Sequence, residues 1–220
     1  MKTIFIVRHG QSTANAGQAS NNPALIPLTA TGVQQASDLA QLLHWRASSV
    51  ITSHYERAKD TAQPYCDRWQ IEPTREPLLH EFVTLSPALV KDQDMATRMP
   101  QVNDFWARAD VNYRHGADSE SFADLSQRVA RVRQTLDQYQ DGSMLFGHGL
   151  WFALLIWQMQ GFSTDDGHAM QAFRRWQLAL PMSNCAVYRL RSSVPGEWSV
   201  QFDDAIYRAL HLTNSDAPRE

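Results

Sequence analysis

At 220 residues, 43% hydrophobic and 20% charged, the chain is long enough for one large domain, or one domain with an insertion, and too apolar to be disordered. A formal net charge of −3 excludes a global attraction for nucleic acid or an acidic membrane, so any anion must be captured locally. Cys66 and Cys185 stand far apart with no C-x-x-C pair, which fits reduced, buried thiols in a cytoplasmic protein better than a disulfide framework.

In chain order, Ile4-Phe5-Ile6-Val7 reads as a short buried strand, and Gly10 lets the backbone turn sharply after Arg8 and His9. The single Lys and short apolar run at this end predict no signal peptide. Residues 11–28 form a loop rich in Asn, Ser, Gly and Pro. Thr29 is placed as an N-cap, and Val33, Ala36, Leu39, Ala40 and Leu43 recur at helical spacing up to Trp45. Val50-Ile51-Thr52 is a second strand. Ser53-His54-Tyr55-Glu56 has capping-box spacing, so a helix is expected there, with Arg57 in its first turn and Pro64 kinking or ending it.

Pro73–Leu79 holds a third, edge strand, after which His80-Glu81-Phe82 leaves the sheet. Residues from about 82 to 117 lack clear periodicity and are expected to form a lid over the sheet rim; long irregular segments in compact domains are usually functional. Phe82, Phe105 and Trp106 fit either a substrate lip or a packed lid core. Ser119–Tyr139 is an amphipathic helix with Phe122, Leu125, Val129, Val132 and Leu136 on one face; Arg128, Arg131 and Arg133 are assigned to its solvated side.

Met144-Leu145-Phe146 is a strand, followed by Gly147-His148-Gly149 and an apolar helix over Leu150–Met159 that is too short to span a bilayer. A helix around Ala169–Trp176 and two strands, Asn184–Leu190 and Trp198–Phe202, turning at Pro195-Gly196, follow; residues from Thr213 are expected to fray. The alternation predicts an α/β fold, a three-layer α/β/α sandwich with a mostly parallel sheet, as one domain over 1–220 with the lid inserted.

Strand exits in α/β sheets are where ligands bind. Here they carry Arg8-His9, Arg57, Glu81 and His148, and the simplest ligand for two arginines and two histidines beside an acid is a phosphate group. Of the eight histidines, only His9 and His148 follow a strand and precede glycine. His54, His80, His115 and His168 read as capping, surface or lid residues, and His44 and His211 carry no signal. No spacing of His, Asp or Glu suggests a metal, so a metal-independent enzyme without a cofactor is expected.

The chain resembles the histidine phosphatase superfamily, the phosphoglycerate-mutase-like group. The resemblance rests on Arg8-His9-Gly10-Gln11-Ser12-Thr13-Ala14-Asn15, similar to an RHG-(E/Q)-(S/T)-x-x-N signature, on Leu28–Ala36, and on Ser53–Ala62. It continues through Leu79-His80-Glu81, Ser119-Glu120-Ser121-Phe122 and Gly147-His148-Gly149, in family order. It implies that His9 attacks phosphorus and becomes a phosphohistidine, while Arg8, Arg57 and His148 hold the non-bridging oxygens. Glu81 would protonate the leaving oxygen and then assist water. Asn15 would bond the phosphoryl oxygens, with Gly149 among the substrate-binding positions.

One departure is Gly147, where many members carry Ser or Thr. Another is Phe82-Val83-Thr84 after Glu81, where mutases of the group have Arg-His-Tyr-Gly, which favours hydrolysis of a small phosphorylated metabolite. The alternatives are a cofactor-dependent phosphoglycerate mutase and a non-catalytic phospho-ligand binding module. The oligomeric state is left open.

Overall fold

A computed structural model describes residues 1–212, so the expected fraying from Thr213 lies outside the described residues. Six strands form one sheet: β1 (Lys2–Arg8), β2 (Val50–Thr52), β3 (Thr74–Arg75), β4 (Ser143–Gly147), β5 (Val187–Val194) and β6 (Glu197–Phe202), in the order β3-β2-β4-β1-β5-β6. β1, β2, β3 and β4 are mutually parallel, and β5 and β6 add an antiparallel edge.

Successive side chains of a strand point to opposite faces, and here both faces are covered. Ile4, Ile6 and Leu145 pack into one core with Phe122, Leu125 and Phe152. Val7, Met144 and Phe146 pack into a second core with Leu39, Leu43 and Tyr65. Helices α1 (Ala30–Leu42) and α2 (Glu56–Trp69) cover the second face; α3 (Met95–Ala107), α4 (Phe122–Thr135), α5 (Gly149–Met159) and α6 (Gly167–Ala179) belong to the first. α7 (Asp204–Leu212) follows β6 and adds Ile206 and Leu210 to the second core. This is the expected three-layer arrangement, and no helix of the described residues is long and apolar enough to cross a membrane.

Thr29 caps α1 as expected, its side chain accepting from the Gly32 N–H. α2 departs from expectation at its start. Its N-cap is Tyr55, with no side-chain bond, because the Ser53 hydroxyl is used elsewhere. Pro64 does not end the helix, which runs on to Trp69. The segment read as irregular contains α3, capped by Asp94 accepting from Thr97 N–H and burying Phe105 and Trp106; these two rings and Phe82 form a packed aromatic cluster. α7 was not expected either.

The register explains the site's location. Arg8 on β1 pairs with Gly147 on β4, and Phe146 on β4 pairs with Thr52 on β2. Three adjacent parallel strands therefore end at one level, where His9, His148 and Ser53 leave the sheet. The turn after β1 is pressed against α1: a Cβ on Gly10 would lie 2.7 Å from the Gly32 carbonyl oxygen, and a Cβ on Gly32 2.0 Å from that of Gln11. Only glycine at both positions allows backbone to meet backbone this closely.

Candidate active site

His9 and His148, separated by most of the chain, are brought together with ring centroids 5.2 Å apart, 3% and 0% exposed. His9 Nδ1 donates to its neighbour's carbonyl, Gly10 O, at 2.7 Å, and Arg57 Nε donates to His9 Nε2 at 3.1 Å. These partners specify a neutral ring with its proton on Nδ1 and a lone pair on Nε2, the form an attacking nitrogen requires. Burial is the largest cause holding the His9 pKa well below 6.5; the Arg57 and Arg8 charges act in the same direction. The two guanidiniums thus reinforce desolvation rather than lead it. Gly10 is itself held by its N–H donating to the Thr61 hydroxyl on α2 at 2.9 Å.

His148 Nε2 lies 2.9 Å from the Ser53 hydroxyl, while its Nδ1 is buried without a partner. The same hydroxyl oxygen accepts from Tyr55 N–H at 3.2 Å, leaving its proton free for His148. Burial, then the Arg57 and His9 charges, keep this imidazole neutral as well. With Ser53 donating to Nε2, the ring proton is on Nδ1, free for an anionic oxygen. The Ser-x-x-Glu spacing predicts a helix cap at Ser53; its hydroxyl instead meets His148. The Gly147 position has no room for a hydroxyl-bearing side chain, since a Cβ there would meet Phe152 Cζ at 2.9 Å.

The arginines differ. Arg57 is 6% exposed, with Nη1 donating to Pro23 O at 2.8 Å. Arg8 Nη1 donates to Met182 O, and its Nε is buried without a partner. Desolvation lowers both pKa values from the usual arginine value. Gly149 makes room for Arg8: a Cβ there would lie 3.1 Å from Arg8 Nε. Asn15 Oδ1 is committed to Ser12 and Asn184 donors, which leaves its amide nitrogen as the donor end.

Glu81 accepts from Phe82 N–H at 2.9 Å and from Leu150 and Trp151 N–H, each at 3.2 Å. The positive end of α5 is therefore filled by this carboxylate. Arg128 is a correction to the solvated-face reading. It is 8% exposed and grips both oxygens of Glu120 at 2.9 Å, while its Nη1 donates to Leu78 O and His80 O. Glu120 in turn pairs with the backbone of Val83. Together they clamp the chain on both sides of Glu81. His80 and His54 sit beside Tyr55, whose phenol is pushed up to about 12 mainly by burial.

Arg57 and Glu81 share one cavity of ≈ 220 Å³, bounded by the 11–28 loop, the segment after Glu81, and α3. A larger cleft beside α2 and β3 holds none of these residues. Among the described residues, no group of three or more His, Cys, Asp or Glu could hold a metal ion. Chemically, a neutral imidazole nitrogen, one buried and one half-buried guanidinium and a second neutral imidazole with a free N–H match a tetrahedral dianion.

Residues 4–202 match the family model described as the histidine phosphatase superfamily (branch 1). A Yersinia enterocolitica protein named "Probable phosphoglycerate mutase GpmB" is 27% identical over 196 residues, covering 86% of this chain and 85% of the relative. The adenosylcobalamin/alpha-ribazole phosphatase of Escherichia coli K12 is 28% identical over 174 residues, 78% and 84% of the two chains. The crystal structure of the alpha-ribazole phosphatase from Shigella flexneri superposes with a TM-score of 0.72 at 22% identity, covering 91% of this chain and 95% of that one, a likeness of fold.

Proposed function

The chain belongs to the histidine phosphatase superfamily (branch 1), and from that premise we propose that it is a phosphohydrolase acting on a small phosphomonoester through a phosphohistidine on His9. The observation that carries this reading is the His9 ring: Nδ1 bound to Gly10 O, Nε2 carrying its lone pair, and Arg57 against that same nitrogen. Phosphoryl transfer asks mostly for positioning and charge stabilisation, which rigid donors supply.

In the first step His9 Nε2 bonds to phosphorus as the ester P–O bond breaks, and Glu81 gives its proton to the departing oxygen. Arg8, Arg57 and the Nδ1–H of His148 hold the three non-bridging oxygens, and Asn15 adds a donor. In the second step water attacks phosphorus, the P–N bond breaks, and Glu81 takes the water's proton. Residues 82–117 act as the lid of a single domain, closing over the leaving group. The name of the Yersinia relative motivates one further reading, a mutase that returns the phosphoryl group to substrate; Phe82-Val83-Thr84 after the acid argues against it.

The test is phosphate release from an aryl phosphate, with acid-labile phosphoprotein trapped by rapid quench. Both signals are expected in the wild type and absent in His9→Ala. Phosphate release surviving in His9→Ala overturns the mechanism, and conversion of 3- to 2-phosphoglycerate faster than phosphate release favours the mutase.

A further inference from the structure

We infer that the site selects phosphomonoesters of an apolar alcohol or phenol, with a leaving group of about six to ten carbons and no second anionic group. The inference rests on the phosphohydrolase reading above and extends it to the substrate class.

The cavity that Arg57 and Glu81 share is where a leaving group must lie, since one residue grips phosphate and the other reaches the bridging oxygen. Its walls are mostly apolar. Phe82, Leu85 and Val90 come from the lid, Met95 and Val102 from α3, and Ile26 from the loop after β1. The first three and Ile26 are each below 10% exposed, so this surface is preformed rather than assembled around a ligand. Its ≈ 220 Å³ equals roughly seven water volumes at about 30 Å³ each, room for a hexyl chain or a fused aromatic ring.

A carboxylate or second phosphate in this space would need a cation, because buried charges are costly unless paired. Besides Arg57, the one cationic side chain in the wall is Arg98. Arg98 works as a fastener: its Nη2 donates to Ser20 O at 2.6 Å and to Val90 O at 2.9 Å, tying the lid to the loop after β1, while its Nε is buried without a partner. A leaving group without a second charge leaves both Arg98 carbonyl bonds in place, whereas an anion that recruited this guanidinium would compete with them.

The experiment measures kcat/KM for ethyl, butyl and hexyl phosphate, 1-naphthyl phosphate and 3-phosphoglycerate, and calorimetric affinity for methyl- and hexylphosphonate, which cannot be hydrolysed. The expected result is a rise of about fourfold per added methylene, the equivalent of ~0.8 kcal/mol per buried CH₂, in both rate and affinity. Val102→Asp, a half-buried position on α3, should cut the hexyl-to-ethyl ratio at least tenfold.

A flat series, or 3-phosphoglycerate exceeding hexyl phosphate, overturns this inference and leaves the phosphohydrolase reading standing. Tighter binding of hexylphosphonate with no ester hydrolysed upholds the cavity and overturns the phosphohydrolase reading. Failure of both phosphonates to bind overturns both.

Discussion

Replacing Ser53 by alanine isolates the least obvious feature of the site. The hydroxyl lies 2.9 Å from His148 Nε2 inside a fully buried pocket; with its oxygen already accepting from Tyr55 N–H, its proton is placed to donate to Nε2, which holds the ring proton on Nδ1. Without it, Nε2 is left unpaired, and the proton is free to move there, away from the phosphoryl oxygens. Two costs follow. Stability should fall by about 1–3 kcal/mol for an unsatisfied buried acceptor. Transition-state stabilisation should fall by about 3 kcal/mol for loss of one oriented donor, roughly 10²-fold in kcat. The assay is steady-state phosphate release from an aryl phosphate, with urea unfolding run in parallel. Ser53→Thr, which keeps the hydroxyl, should recover most of kcat. The reasoning is refuted if Ser53→Ala stays within threefold of wild-type kcat while His148→Ala is inactive, because His148 would then need no tautomeric control.

Acid should destabilise the fold through the same imidazoles. His9 and His148 titrate well below 6.5 when folded and near 6.5 when unfolded, so the unfolded chain binds more protons below that pH. Their contribution is complete above pH 6.5 and is lost as pH falls below it, by up to about 1.4 kcal/mol per pH unit for each ring; urea titrations at pH 7.5, 6.5 and 5.5 measure this, and an unchanged midpoint would contradict it. Arg128→Leu strands Glu120 beside the Glu81 segment; we expect a loss of about 3 kcal/mol in urea unfolding, together with a fall in kcat, which Glu120→Gln should produce more mildly. Gly149→Ala places a methyl group 3.1 Å from Arg8 Nε; displacing that guanidinium should raise KM and lower kcat, and the overpacking should cost about 1–3 kcal/mol of stability in urea unfolding.

The strand exits were legible because their signals are local: apolar residues needed on both faces of a covered sheet, then Gly10 or Gly149 where backbone or side chain must pass closely. Helices α1 and α4 were legible from period and capping, and α5 from its apolar run. α3 and α7 were not. α3 carries Pro100 and exposes most of its surface, so its buried pair, Phe105 and Trp106, gives no repeating stripe; only Asp94 before Thr97 signalled its start. Ser53 and Arg128 failed for a different reason. Each fits a local rule, a capping box or a polar helix face, and tertiary partners ninety-five and eight residues away claimed the side chain instead. Occupation of the α5 N-terminus by Glu81 likewise depended on a contact seventy positions distant.

The paired glycines, Gly10 and Gly32, tie the aim of the reactive nitrogen to an element that lines no part of the cavity. The acceptor that orients His9 is the carbonyl of Gly10, and Gly10 rests on the first turn of α1. Any displacement of that helix therefore reaches the imidazole through main chain alone, with no intervening rotamer to absorb it. α1 is thus a sighting rail for catalysis, and substitutions along its buried side should register as changes in turnover before they register as changes in substrate choice.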